Sequence, residues 1–438
     1  MPGSFTTVTL GCKVNQYESE ALARRLVADG WHQAEGPPVD LCLINTCTVT
    51  GRAAMQSRQA ARRARRQGAG RIVVTGCYAQ VEPEALTAID GVDLVVGHSE
   101  KHRIPALVQD LMEKTVRRQA EAVVAPRSVA WSFDAICDAV VGGRTRPLLK
   151  IQDGCDAFCT YCIVPYARGP SRSMPAETVL ARIADLGAAG YHEVVLTGIH
   201  LGRYGRDLSP STTLADLLRR IDAAGDIARF RVSSVEPQEF DTALIAALTE
   251  SPHCCRHFHI PLQSGDDAIL RRMGRPYTGA DVADLVLTLT RRVPDAAVGL
   301  DVLVGFPGET ETAFEHTYQM VAGLPLAYLH VFPFSPRTGT PAARMSDPVP
   351  DGVITRRCAR LRRLGQRKRL DFHRRFVGLE AAAAVEGRRD PQTGRLKMVT
   401  DNYLPVIFDG PDALLETRVT VRIEAVDAHG RLAGRRLD

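Results

Sequence analysis

Three cysteines, Cys12, Cys47 and Cys77, each stand directly after a run of β-prone residues and directly before a helical pattern. Phe5 to Leu10 runs into Gly11-Cys12 and a helix carrying Leu22, Leu26 and Val27. Leu41 to Asn45 runs into Thr46-Cys47 and a helix rich in alanine and arginine. Arg71 to Thr75 runs into Gly76-Cys77 and a helix containing Leu86 and Ile89. Such alternation predicts a parallel sheet joined by right-handed crossovers. Parallel strands finish on one edge, where open α/β sheets bind ligands, so the topology gathers three thiols that are far apart in sequence. One such cysteine alone reads as a small buried hydrophobe. Three at equivalent positions predict a metal or cluster site. Cys42 lies inside its strand and is expected in the core.

A second array is local. Cys155, Cys159 and Cys162 form a C-x3-C-x2-C loop between the strand-like Leu148, Leu149 and Ile151 and Pro165. Iron-sulfur clusters are held by thiolates, usually four to a cubane, and three leave one iron open to a substrate or cofactor. A zinc site, or a thioredoxin-like pair at Cys159 and Cys162, would use the same residue type. The third cysteine favours the cluster.

At 438 residues the chain exceeds one hydrophobic core, and 45% apolar with 24% charged residues is an ordinary globular profile. No signal segment opens it and no apolar run approaches a membrane span, so a soluble cytoplasmic protein without a membrane partner is expected. Eleven cysteines, an odd number, fit thiolate ligands in a reducing compartment better than a disulfide framework.

Beyond a linker around Arg127 to Gly143, six strand–helix repeats follow. Their strands are expected near Leu148–Ile151, Val194–Thr197, Phe230–Ser233, His257–Pro261, Val298–Val304 and Tyr328–Phe332. Repeated βα units close, or partly close, into a barrel whose working face is at the strand carboxyl ends. Those ends carry Gly198, Ser234, Glu236 and Gln263, suited to close backbone approach or to hydrogen bonds with a ribose or an ammonium group. His200 is read as a structural hydrogen-bond partner. Cys137, Cys254, Cys255 and Cys358 follow no ligand spacing and are expected to pack in cores. Arginines recur from Arg52 to Arg66 and from Arg356 to Arg375 on helical patterns, and two basic helices beside cluster domains point to a nucleic-acid partner. After Gly378, short strands separated by turns imply a small β-barrel.

The Gly154–Cys162 loop resembles the signature of the radical S-adenosylmethionine enzymes. Gly11-Cys12-Lys13-Val14-Asn15, Asn45-Thr46-Cys47-Thr48-Val49-Thr50 and Thr75-Gly76-Cys77 resemble the three motifs of the methylthiotransferase amino-terminal domain. This resemblance implies an α/β protein of three parts: a cluster-binding parallel-sheet domain over 4–114, a partial (β/α)6 radical core over 141–372, and an OB-like TRAM RNA-binding barrel over 375–438. It implies two [4Fe-4S] clusters, one on Cys12, Cys47 and Cys77 and one on Cys155, Cys159 and Cys162. S-adenosylmethionine would be chelated at the second and contacted by Tyr161, Gly198, Ser234, Glu236 and Gln263. The family version of the second-strand motif has a carboxylate after paired glycines, and Gly198-Ile199-His200 departs from it.

The implied activity is methylthiolation of adenosine C2 in tRNA, at position 37 in the anticodon stem-loop. A sulfur source and an electron donor such as flavodoxin or ferredoxin would serve it. Lys13-Val14-Asn15-Gln16, Lys150-Ile151-Gln152-Asp153-Gly154-Cys155 and Tyr166-Ala167-Arg168-Gly169 most resemble the branch acting on threonylcarbamoyladenosine. Gly51 stands where that branch commonly has asparagine. Branches acting on isopentenyladenosine or on a ribosomal-protein aspartate are the alternatives. A threonylcarbamoyl carboxylate calls for arginine, and Arg168 and Arg172 are the expected partners. Outside the class, a zinc-bearing RNA-binding protein would share the cysteines and the basic helices, whereas a plain electron carrier would not need a six-unit barrel.

Overall fold

The computed structural model describes residues 3–113, 120–125, 133, 143–427 and 430–437. Cys137 and most of the expected linker lie outside them. The first layer is a six-stranded sheet in the order His32–Gln33, Ser4–Thr9, Val39–Thr46, Ala69–Gly76, Leu94–Val96 and Glu121–Val123. Every pairing in it is parallel. Helices cover both faces, so the central strands are near-continuous apolar runs: Cys42, Leu43, Ile44, Ile72, Val73 and Val74 are all buried. Cys42 is core, as its place inside the strand requires.

The six strands of the central unit form two parallel three-stranded sheets. One orders Arg229–Val232, Glu193–Thr197 and Leu148–Lys150; the other orders His257–Gln263, Ala297–Val304 and Tyr328–Pro333. A bridge between Phe230 and Cys254, and the Val235 N–H donating to the His259 carbonyl, join the two into an open barrel wall. Cys254, Cys255 and Cys358 are buried in packing.

The Asp351–Arg374 helix ties this barrel to the terminal module. Cys358, Leu361 and Leu364 face the barrel core, while Phe372 and Phe376 join the module's own core. Arg357 turns inward onto Glu309 (2.7 Å) and Glu311 (2.9 Å), so the basic face of this helix is partly spent on internal pairs. The module is a five-stranded sheet, Glu380–Ala384, Arg418–Val426, Leu432–Arg436, Pro405–Phe408 and Leu396–Val399. Its two edges meet through a Val385–Met398 bridge, curling it into a small barrel filled by Met398, Val406, Phe408 and Val421. Among the described residues, no helix is long and apolar enough to cross a membrane.

Sheet and barrel are joined through a buried ion network. On the Lys13–Ala28 helix, Val14, Glu18, Leu22 and Leu26 fall at four-residue spacing on the buried face, and Glu18 is the one carboxylate in that stripe. Glu18 accepts from Lys101 (2.5 Å), Lys150 (3.2 Å) and Arg168 (3.0 Å). Asp153, directly before the Gly154–Cys162 loop, accepts from Arg168 (2.8 Å), Arg172 (3.0 Å) and Lys150 (3.2 Å). Despite complete burial, which raises a carboxyl pKa, the surrounding cations hold both carboxyls well below the ordinary range. His98, pushed down to about 3 by burial and by Lys101 and Arg168, is neutral. Removing one member of such a network leaves charge buried without compensation. Glu18→Ala should therefore cost about 3 to 5 kcal/mol of stability. Asp371→Ala, which breaks an exposed pair with Arg374, should cost less than about 1 kcal/mol. Denaturant midpoints of the two variants measure the difference; equal midpoints would show that the network carries no stability.

Candidate active site

The sheet edge gathers the three distant thiols. Cys12 opens the Lys13–Ala28 helix, Cys47 follows the Val39–Thr46 strand, and Cys77 opens the Cys77–Val81 helix. Burial raises the pKa of Cys47 and Cys77, and neighbouring thiolates add to it, Cys77 and Cys12 at Cys47 and Cys12 at Cys77. Gly11 (φ +100°) sits so close to Cys47 that an added Cβ would lie 2.8 Å from its Cβ and 3.0 Å from its Sγ. Only glycine allows the first and second loops this approach. Asn15 donates to the Leu10 (2.7 Å) and Thr46 (3.0 Å) carbonyls, and Arg337 from the barrel donates to Thr48 (2.6 Å) and Glu82 (2.7 Å).

The Cys155–Cys162 loop is anchored at both ends. The Cys155 N–H donates to the Gly169 carbonyl (3.0 Å), the Thr160 N–H to Met273 (2.9 Å), and the Ala342 N–H to Thr160 (2.8 Å). Gln152 donates to the Asp153 and Gly154 carbonyls (both 2.9 Å) and accepts from the Ile199 (3.0 Å) and His200 (2.7 Å) N–H groups. The loop and the Gly198–His200 turn are thus held by one side chain. A Cβ at Gly198 would lie 2.9 Å from Gln152 Oε1. His200 Nδ1 lies 3.3 Å from Cys155 Sγ, and Nε2 is 2.9 Å from Glu239. Burial alone would lower the His200 pKa, but Cys155 and Glu239 together raise it to about 9.

Of the residues expected to meet a cofactor, Tyr161 and Glu236 are brought together by Arg275, which donates to the tyrosine hydroxyl (2.6 Å) and to the carboxylate (2.5 Å). Phe306 packs edge-on against Tyr161 at 6.5 Å. Ser234 is exposed and Gln263 half-buried. Gln263 holds a left-handed backbone (φ +69°) where the strand pairing breaks register, a strained conformation of the kind that collects at functional sites.

Arg168 and Arg172 are not where a substrate carboxylate would need them. Both guanidinium groups are buried, Arg168 on Glu18, Asp153 and Asn15, Arg172 on Asp153 and two carbonyls. Their charge acts inward. The network sets four cations against two carboxylates, and Arg168 bears on both Cys47 and Cys77 and lowers their thiol pKa against burial, which raises it.

Surplus positive charge behind buried thiols suits an anionic thiolate cluster. Spacing separates a cluster from a single ion, since four thiolates around one zinc, at about 2.3 Å from the metal, crowd to within about 4 Å of one another. Among the described residues, the groups of three donors lying within 4.8 Å of one another are His259, Asp301 and His330, and Glu18, His98 and Asp153. Neither includes a cysteine, so among the described residues neither thiol set closes to the spacing of a single tetrahedral ion.

A cavity of about 870 Å³ opens between the first sheet, the barrel and the terminal module. Leu148, Val195 and Arg231, neighbours in register on three strands, face it, with Lys13 and Gln16 above and Lys397 and Tyr403 at the side. His257, His259, Asp301, Tyr328 and His330 share one face of the second half-sheet, and Asp301 bears on the Lys13 ammonium. Gly299 leaves room for the Tyr328 ring, which a Cβ there would overlap.

This combination of a parallel-sheet domain with three edge thiols, a six-stranded open barrel with a C-x3-C-x2-C loop, and a small β-barrel defines a radical S-adenosylmethionine enzyme. Residues 149–321 match the model of the Radical SAM superfamily, and residues 4–97 that of Uncharacterized protein family UPF0004. The chain is 40% identical, over 95% of its length and 92% of the relative's, to the threonylcarbamoyladenosine tRNA methylthiotransferase MtaB of Bacillus subtilis (strain 168). It is 34% identical to the protein of the same name in Aquifex aeolicus (strain VF5), covering 92% of this chain and 96% of that one. A tRNA-2-methylthio-N(6)-dimethylallyladenosine synthase of Pelotomaculum thermopropionicum is 33% identical, with 96% and 94% covered. The radical S-adenosylmethionine methyltransferase TsrM from Kitasatospora setae shares the fold, with a TM-score of 0.56 at 18% identity over 75% of this chain and 72% of that one.

The chain belongs to the radical S-adenosylmethionine methylthiotransferase family. The cofactors of that family are S-adenosylmethionine and two [4Fe-4S] clusters.

Gly154 tests the loop. It has φ +71°, and an added Cβ would run into the Pro170 carbonyl oxygen. Gly154→Ala should leave the purified, reconstituted protein with about half the wild-type iron, one of two clusters; wild-type iron content would show that the loop does not need this turn.

Proposed function

We propose that the protein methylthiolates C2 of N6-threonylcarbamoyladenosine at tRNA position 37. The observation that carries the reading is a polar cavity between the first sheet, the barrel and the terminal module, bordered by cations that include Lys13, the residue directly after Cys12. Lys13, Arg144, Arg146, Arg231, Arg388 and Lys397 border it. A threonylcarbamoyl group presents a carboxylate and a hydroxyl to such walls, whereas a dimethylallyl group offers their polar atoms no partner. The 40% identity to a relative bearing the threonylcarbamoyl name supports the same substrate.

In this reading Cys155, Cys159 and Cys162 would hold the radical-generating cluster, and Cys12, Cys47 and Cys77 would hold the cluster that serves the sulfur chemistry. Bound there, the two clusters and S-adenosylmethionine would supply the radical and methylthio-transfer chemistry needed at C2. The protein's own residues orient and enclose. Tyr161, Glu236, Gly198, Ser234 and Gln263 line the carboxyl ends of the barrel strands, where the methionyl and ribose groups bind. Arg275 fixes the tyrosine and the glutamate relative to each other. His200 donates to Cys155, keeping one thiolate hydrogen-bonded while the loop stays anchored through Gln152.

Outside the cavity, Arg52, Arg62, Arg63, Arg65 and Arg66 are exposed along the Gly51–Arg66 helix. They form a phosphate-binding face for the anticodon stem-loop. The small barrel over 375–438 acts as the TRAM RNA-binding domain, and its Arg388 and Lys397 reach the cavity mouth. An electron donor and a sulfur source complete the reaction.

Nucleoside mass spectrometry on tRNA from a strain lacking this gene, and from the same strain complemented, tests the reading. Loss and recovery of the methylthio-threonylcarbamoyl nucleoside is expected; loss of the dimethylallyl analogue instead would move the protein to the neighbouring branch. Cys159→Ala is expected to abolish 5′-deoxyadenosine formation while the first-domain cluster stays loaded. Continued formation in that variant would contradict the assignment of the radical loop.

A further inference from the structure

With Arg168 and Arg172 buried in the internal network, the threonylcarbamoyl carboxylate needs another cation, and most of those bordering the cavity are committed. Arg144 pairs with Glu20, Arg146 with Glu386 (2.6 Å) and Arg389 with Asp412 (2.7 Å). Arg231 pairs with Glu193 (2.8 Å) and donates to the Asp401 (2.9 Å) and Thr400 (3.0 Å) carbonyls. Arg388 and Lys397 belong to the terminal module, on the side from which RNA would enter.

Lys13 is different in three respects. Among the described residues its ammonium has no ion-pair or hydrogen-bond partner. It is open to the cavity, with Arg231, Arg146 and Asp301 as charged neighbours. Asp301, the one anion among them, is already held by His259 (2.9 Å) and His330 (3.1 Å) and does not capture it. Lys13 also follows Cys12 directly in the chain, so its stem starts beside the thiol assigned to the sulfur-preparing cluster.

The chemistry of the base makes that adjacency meaningful. N6 and C2 flank N1 on the same edge of a purine, so a substituent on N6 extends toward the neighbourhood of C2. When C2 faces the cluster of Cys12, Cys47 and Cys77, the carboxylate of the N6 substituent comes within reach of the first side chain after Cys12. Tyr403, 42% exposed, stacks on His257 (4.2 Å between centroids) in the same cavity and offers the flat base a ring to lie against.

We propose that Lys13 is the specificity-determining residue that reads the substrate carboxylate, an inference that rests on the threonylcarbamoyl reading above. Lys13 pairs with the carboxylate in the bound complex, whereas an uncharged N6 group would cover the ammonium without pairing it, which penalises the wrong substrate.

The test compares two anticodon stem-loops, one carrying threonylcarbamoyladenosine and one carrying its methyl ester, binding to the full-length, cluster-reconstituted protein. Fluorescence anisotropy gives a Kd for each, and the ratio within one preparation is insensitive to the fraction of loaded protein. Wild type is expected to prefer the acid by about tenfold or more, the effect of a hydrogen bond to a charged group. Lys13→Met should bring the ratio close to one, and Lys13→Arg should keep most of the preference. Gln16→Met, in the same cavity wall without a charge, should retain the wild-type ratio. An unchanged ratio in Lys13→Met would overturn the proposal, as would a wild type that does not distinguish acid from ester. Should wild type methylthiolate a dimethylallyl stem-loop and ignore the threonylcarbamoyl one, the substrate reading itself fails and takes the lysine with it. Modification of the threonylcarbamoyl RNA with an unchanged ratio defeats the lysine alone.

Discussion

Everything at the site depends on how Arg168 is held. Its guanidinium, 1% exposed, donates to Glu18 and Asn15 of the first domain and to Asp153 of the barrel. Asn15 in turn secures the carbonyls of Leu10 and Thr46 beside Cys12 and Cys47, and Asp153 leads directly into the loop of Cys155. One planar cation therefore spans both thiol loops, with the fork geometry that lets arginine serve several acceptors at once. Lysine at this position would offer a single point of charge and lose the simultaneous contact.

The network has an electrostatic role as well as a mechanical one. Burial raises thiol pKa values, to about 11 for Cys47 and about 12 for Cys162. Arg168 and Lys101 act against that rise at Cys77, and Arg275 does so at Cys159. Each thiol set thus has a buried arginine behind it. In a methylthiotransferase, where two clusters must bear on one carbon, fixing the loops to each other and biasing their charge from a single buried layer is economical. The cavity then needs only to present the base.

Much of the fold was legible because it follows from periodicity. The parallel sheet, the six barrel strands and the short strands of the terminal module were each marked by apolar runs and turn residues, and the three edge cysteines by their place after a strand. Residues joined across long sequence separations were not. Arg168 resembles a substrate arginine from its position near the cluster loop, yet its partner Glu18 lies 150 residues away. Glu18 did leave a signal, a carboxylate at a buried position in the stripe of Val14, Leu22 and Leu26. His200 looked like a structural histidine, and its contact with Cys155 depends on Gln152 drawing two loops together. Lys13 stood inside a quoted motif, but the meaning of its charge emerges only when the pairing of the other cavity cations is known.

On this account Cys12, Cys47 and Cys77 hold one cluster and Cys155, Cys159 and Cys162 another, on loops tied together by one buried network. Electron paramagnetic resonance of the dithionite-reduced protein tests it most directly, with Cys12→Ala and Cys159→Ala supplying the spectra of each cluster alone. The account predicts a wild-type spectrum broadened by interaction between two nearby spins; a wild-type spectrum equal to the sum of the two single-cluster spectra would contradict it.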